Sequence, residues 1–169
     1  MESAPIDWNA AYDDLSDRLY NFFRYRLGDD EVARELAQEV FLRLWRSRKS
    51  LRREMFKQTA FKIARNLTTD HLRRKRVRAW MQSLADEEDT QEVRSDENVE
   101  EAVQQRAILR QLNERLRDLS DADRELLSLK YGAGLTNRDI ATVTGMSENN
   151  AGTRLFRIVR RLREDWEER

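Results

Sequence analysis

The feature that most constrains this chain is a stretch near its C-terminus, SDADRELLSLKYGAGLTNRDIATVTGMSENNAGTRLFRIVRRL, from Ser120 to Leu162. Thr136, with Asp139 three residues later, is a capping-box start for a short helix whose inward residues are Ile140, Ala141 and Val143. Gly145 ends that helix, Met146 plugs the corner, and Ser147 caps a second helix. On this second helix Ala151, Leu155, Ile158, Val159 and Leu162 share one face at the 3.6-residue period. Asn149, Asn150, Thr153, Phe156, Arg157 and Arg160 share the opposite face. Two helices joined at a glycine corner make a helix-turn-helix. Amides and guanidinium groups on its exposed helix suit duplex DNA, supplying bidentate donors for base edges and cations for phosphate. An ordinary helical hairpin with a solvated polar face would show the same periodicity.

The composition supplies a helical setting for this unit. With 38% charged residues, five Gly and one Pro among 169 residues, and few β-branched runs, the chain is expected to be all-α. Its 39% hydrophobic content is lean for one large core and favours two small helical domains. No apolar run approaches the ~20 residues that span a bilayer, and the acidic start MESAPIDW lacks the features of a signal peptide. No membrane insertion and a cytoplasmic location are therefore expected. Cysteine is absent and His71 is the single histidine, so neither a metal site nor a cofactor is expected. No nucleophile–base pair or phosphate loop stands out, which argues against an enzyme.

A net charge of zero sits oddly with DNA binding until it is taken by segment. Residues 1 to 45 carry ten acids against five bases, residues 46 to 80 thirteen bases against two acids, and residues 86 to 101 nine acids against one base. Each block implies a different neighbour.

In chain order, Trp8 to Leu27 places Trp8, Ala11, Tyr12, Leu15, Leu19, Phe22, Phe23 and Arg26 at helical spacing, with Gly28 as the stop. A second helix from Asp29 buries Val32, Ala33, Leu36, Ala37, Val40, Phe41, Leu44 and Trp45. Its other face groups Glu31, Glu35, Gln38, Glu39 and Arg46 around Leu42. That face is either a solvated surface with one stray Leu or a docking surface for a partner. Ser47 to Met55 is a basic loop. The helix that follows turns Phe56, Ala60, Ile63, Ala64, Leu67 and His71 inward, His71 being read as half-buried and bonded to a neighbour. On another face Lys62, Arg65, Asn66, Thr69, Arg73 and Arg76 form a strip suited to a phosphate backbone. Only Asp70 interrupts the cations, where a merely solvated face would intersperse more acids.

Domain boundaries are expected at 8–80, 81–103 and 104–169. The middle segment is an acidic flexible linker, poor in large apolar residues. After it, Val103, Ala107, Leu109, Leu112 and Leu116, then Leu126, Leu127 and Leu129, recur helically and buttress the helix-turn-helix. No 20–50-residue repeat is present.

Taken together, AQEVFLRLW (Ala37 to Trp45), IARNLTTDHLRR (Ile63 to Arg74) and LSDADRELLSLKYGAGLTNRDIATVTGMS (Leu119 to Ser147) resemble the extracytoplasmic-function sigma factors of bacterial RNA polymerase, over almost the whole chain. The resemblance implies that the first domain is sigma region 2 and the last sigma region 4. Glu31, Glu35, Gln38, Glu39 and Leu42 would dock on core RNA polymerase, at the clamp coiled coil of its largest subunit. The strip Lys62, Arg65, Asn66, Thr69, Arg73 and Arg76 would hold the −10 promoter element as it opens, with the Ser47 to Met55 loop near the extruded base. Asn149, Asn150, Thr153, Phe156, Arg157 and Arg160 would read the −35 element. Many members are held inactive by an anti-sigma factor. The rival reading is a stand-alone helix-turn-helix transcription regulator, for which the first domain has no role.

Two departures from the family pattern are visible. Val32-Ala33-Arg34-Glu35 replaces a more acidic run, removing two carboxylates and adding a cation at the docking face. Phosphorylation of Thr59 or Ser47 by a kinase would restore negative charge there. The second departure is ENNAGTRLFR in the recognition helix, where Gly152 costs about 1 kcal/mol relative to Ala and offers no side chain.

Overall fold

The computed structural model describes residues 6–84 and 114–167. Among them every regular element is helical. Helix α1 spans Trp8–Leu27, α2 Asp30–Arg46 and α3 Phe56–Leu84, with a short 3-10 turn at Arg53–Met55. Helix α4 spans Asp121–Leu127 and runs into a π-helical turn, Ser128–Gly132; α5 is Asn137–Thr144 and α6 Glu148–Glu167.

The helix ends follow from side chains that satisfy the first free N–H groups. Asp7 accepts from the N–H groups of Asn9 and Ala10, and Asp29 from those of Glu31 and Val32. Gly28 and Gly145 stop α1 and α5 in the left-handed region, at φ 73° and 78°. Such angles burden any residue with a Cβ.

Leu15, Leu19, Phe22 and Phe23 of α1 are buried against Ala33, Val40 and Leu44 of α2 and Ala60, Phe61 and Ala64 of α3. Phe22 packs edge-on against Phe23 and Phe61, at centroid separations of 5.3 and 6.1 Å, the geometry that suits the ring quadrupole. In the C-terminal half, Leu126, Leu129, Leu135, Ile140, Ala151, Leu155 and Ile158 are buried. Both sets belong to one contiguous cluster, so the two halves share a core rather than standing apart.

The seam between the halves is close. The π turn lies along α1, and a Cβ on Gly132 would sit 3.1 Å from the Asn21 carbonyl oxygen. Arg18 donates from Nε to the Ala133 carbonyl at 2.8 Å and from Nη2 to that of Gly134 at 3.3 Å. Helix α5 packs on α3.

Several expectations require correction. Residues 81–84, assigned to the linker, are the last turn of α3; the rest of the linker and the apolar positions from Val103 to Leu112 lie outside the described residues. Tyr12 and Trp45, assigned to the core, are about half exposed. Trp45 instead meets Trp8 edge-on at 5.0 Å and carries the Arg48 guanidinium 4.5 Å over its ring, so it folds a polar neighbour onto the surface. His71 is half-buried but makes no hydrogen bond among the described residues. Burial, with Lys75 and Arg78 nearby, lowers its pKa.

Candidate functional site

Three surfaces hold the residues singled out by the sequence. On α2, Glu31, Glu35, Gln38 and Leu42 are exposed and Glu39 is half-buried. Glu39 accepts from Arg43 Nε at 2.7 Å, and that bond holds its carboxyl below the usual range. Leu42 remains about half exposed with acids on either side of it, so this face has no cover among the described residues. Arg34 turns toward α1 instead, its guanidinium 6.0 Å from the Tyr20 ring. It lines a groove there with Tyr12, Asp17, Gln38 and Phe41. Ser47 caps the helix end, its hydroxyl donating to the Arg43 and Leu44 carbonyls, and Thr59 is half-buried on α3.

On α3 the cationic strip divides into free and engaged members. Lys62 and Asn66 are exposed; Thr69 is exposed too, its hydroxyl donating to the Arg65 carbonyl at 3.0 Å. Arg73 leans on Asp70 at 3.3 Å. Arg65 and Arg76 reach across to the C-terminal half. Arg65 donates from Nε and Nη2 to the two oxygens of Glu125, at 2.8 and 3.0 Å, and from Nη1 to the Val143 carbonyl at 2.9 Å. Arg76 meets Asp121 at 2.6 Å. The bidentate fork on a partly buried carboxylate is the strongest of these contacts, since geometry and low exposure both favour it. Lys57, the second residue of α3, adds a bridge to Asp139 at 2.8 Å.

On α6 all six reading candidates, Asn149, Asn150, Thr153, Phe156, Arg157 and Arg160, are exposed on one side, while Ala151, Leu155 and Ile158 are buried on the other. The preceding helix α5 is started by a capping box, in which the Thr136 hydroxyl and Asp139 exchange bonds, and α6 by Ser147, which accepts from the Asn150 N–H at 3.1 Å. Phe156 is 68% exposed, an unusual place for a ring unless a partner covers it. Arg160 is engaged by Glu164 at 2.7 Å; Arg157 makes no ion pair among the described residues.

Residues 11–78 match the family Sigma-70 region 2, and residues 109–162 match Sigma-70, region 4. The chain belongs to the sigma-70 family. It is similar to the ECF RNA polymerase sigma factor BldN of Streptomyces coelicolor, 30% identical over 155 residues that cover 89% of this chain and 57% of BldN. The ECF RNA polymerase sigma factor SigL of Mycobacterium tuberculosis is 29% identical over 161 residues, covering 91% of this chain and 85% of SigL. The chain thus spans a little over half of the first of these relatives. In fold it is similar to the sigma factor RpoE from Bartonella quintana, solved in complex with the anti-sigma factor NepR. That likeness has a TM-score of 0.69 and 21% identity, and covers 94% of this chain and 95% of that one.

Regions 2 and 4 of this sigma-family chain are therefore the two halves that share the seam. Several of its residues escaped the sequence reading. Glu125, Asp121 and Arg18 carry ordinary surface-helix signals and acquire their partners only in three dimensions. Arg154 is half-buried within region 4 and donates to Asp123 at 2.7 Å, so it braces α6 from its flank. Gly152 is also corrected. A Cβ there would lie 3.1 Å from Asn137 Nδ2, so the glycine makes room for Asn137, whose Oδ1 accepts from Lys130 at 3.0 Å. The signal that could have found it is the position itself, a glycine at the fifth residue of a helix facing its helix-turn-helix mate.

Proposed function

We propose that this chain is a non-enzymatic sigma subunit of the extracytoplasmic-function type, acting in the cytoplasm, which binds core RNA polymerase and directs promoter recognition and opening. The observation that carries the reading is the outward face of α2, where Glu31, Glu35 and Gln38 surround an exposed Leu42 on the half that a stand-alone regulator would not need. That face would dock on the clamp coiled coil of the largest polymerase subunit. The α3 strip, Lys62 to Arg76, would hold the −10 element, and the exposed face of α6 would read the −35 element in the major groove.

Promoter opening needs no catalytic group from such a subunit. Cations grip the backbone, and contacts to unpaired bases that duplex cannot offer offset an unstacking cost of a few kcal/mol per step. Among the described residues no helix is long and apolar enough to cross a membrane. An anti-sigma factor is a further expected partner, consistent with the complex in which RpoE was solved.

The reading makes a geometric demand. Elements centred ~25 base pairs apart lie about 85 Å apart at 3.4 Å per base pair. A compact chain of this length has a radius of gyration of only about 15 Å. The closed arrangement cannot read both elements, so regions 2 and 4 must separate on the promoter. Pull-down of core polymerase by the purified chain without DNA, followed by run-off transcription from the reconstituted mixture, tests the proposal. Retention and promoter-dependent transcripts are expected; promoter binding without polymerase retention would favour the stand-alone regulator.

A further inference from the structure

The seam between the halves encloses a cleft of about 430 Å³ bounded by the end of α1, the middle of α3 and the start of α4. Its charge balance is lopsided. Asp121 receives three guanidinium groups, Arg76 at 2.6 Å, Arg124 at 3.0 Å and Arg26 at 3.7 Å. Arg65, also on the wall, is matched by Glu125, and Arg73 by Asp70. Among the described residues one carboxylate, Asp121, thus faces three cations, an excess of two positive charges around it.

Arg26 is the most exacting of the three. Its side chain is only 7% exposed, and its one ion pair among the described residues is the long one to Asp121. Its Nε is buried without a hydrogen-bond partner among the described residues, as is the Nε of Arg124. Burial, together with the charges of Arg124 and Arg76, lowers the pKa of Arg26, although Asp121 and Glu125 pull the other way. A buried, under-neutralised guanidinium is costly, and its unmatched donor calls for an acceptor.

We propose that this cleft binds a small phosphate-bearing anion, with Arg26 and Arg76, which line it, as its ligands and Arg124 adding positive charge from behind Asp121, and that the bound anion holds regions 2 and 4 together. A diphosphate group supplies the negative charge and the several acceptor oxygens that the Arg26 and Arg76 guanidiniums lack, and the planar arginine fork is built for such oxygens. Duplex DNA is excluded from this particular site. Its major groove alone is about 12 Å wide, and the cleft exists only while Asp121 and Glu125 of region 4 lie against α3. An anion bound there stabilises the closed chain by mass action and opposes whatever requires opening. The last step alone rests on the sigma reading.

The test uses the full chain and inorganic pyrophosphate without divalent metal, with sodium chloride at matched ionic strength as control. Saturable one-to-one heat in titration calorimetry and a rise of several degrees in the melting temperature beyond the salt control are expected. Arg26→Gln and, independently, Arg76→Gln should each weaken binding at least tenfold, and Arg26→Lys should weaken it less; the exposed Arg76 covers the case in which Arg26→Gln does not fold. An ADP arm identifies the source: binding of both probes assigns the diphosphate moiety, and pyrophosphate alone assigns an inorganic ligand. Stabilisation no greater than that of chloride, or equal affinity in wild type and both Gln variants, overturns the site. In a final arm, pyrophosphate should lower the apparent promoter affinity. A chain that binds pyrophosphate yet ignores promoters would sink the sigma reading and leave the site standing, whereas the reverse result would sink the site alone.

Discussion

Asp139 joins two structural levels in one side chain. It closes the capping box of α5 with Thr136 and accepts from Lys57 of the other half. Burial opposes its ionisation, but the bonds from Lys57 and Thr136 outweigh burial and hold its carboxyl below the ordinary 3.8. The unfolded chain therefore takes up this proton more readily than the folded one. The stabilisation is complete above the ordinary carboxylate range and is lost as pH falls through the depressed folded value. Asp139→Asn should lower stability by about 0.5–2 kcal/mol, the range for a lost cap, and should flatten the acid limb of stability below about pH 4. Urea midpoints at neutral pH and in that acid range measure both effects; an unchanged acid limb would place the titration elsewhere. At Gly152 two effects compete: Ala gains about 1 kcal/mol of helix propensity but brings a Cβ to 3.1 Å from Asn137. The gain should be small in the native background and nearly full in Asn137→Ala, and equal gains in both would show that Asn137 yields freely.

At the scale of the element, α6 separates support from reading within four residues. Arg154 is bonded to Asp123, whereas Arg157 projects from the exposed face with no ion pair among the described residues. Arg154→Ala should lower the melting temperature and weaken all DNA alike. Arg157→Ala should leave folding intact and cost roughly 1–3 kcal/mol at one base position if its fork meets guanine. Melting curves and binding to a panel of −35 variants separate the two, and equal losses across the panel for Arg157→Ala would remove it from direct readout. The faces of α1, α2, α5 and α6 were legible because helical periodicity and capping residues act locally. The π turn was not. The Ala133 N–H bonds the Ser128 carbonyl at 2.8 Å, five residues back, and the Leu135 N–H reaches Leu129. One widened turn displaces the apolar register by a residue, too little to disturb a 3.6-residue pattern read over LLSLKYG. Phe61 was missed on α3 for a related reason: that helix is buried on two sides, by α1 and by region 4, and a single-face reading assigns only one.

Over the whole molecule, the strip on α3 was legible as a set of cations, but its present use was not, because long-range partners such as Glu125 leave no local trace in sequence. Arg65 and Arg76, proposed for the −10 element, are held by Glu125 and Asp121 in the closed chain. On the proposed function, promoter DNA and region 4 would compete for the same guanidiniums, and closure should lower apparent promoter affinity by the fraction of chains that are open. Two unrelated changes loosen the seam. Glu125→Gln removes the carboxylate that Arg65 grips. Gly132→Ala sets a Cβ 3.1 Å from backbone oxygen at Asn21, where nothing flexible can give way. If each weakens closure by about 1 kcal/mol, promoter affinity should rise about fivefold in both. The gain for Glu125→Gln would persist in high salt less than that for Gly132→Ala, because only the first alters charge. Dyes on Lys49→Cys and Arg163→Cys, in a chain with no native cysteine, should report lower transfer efficiency in both variants before DNA is added. Unchanged transfer together with unchanged affinity would mean that the halves do not hold each other off the promoter.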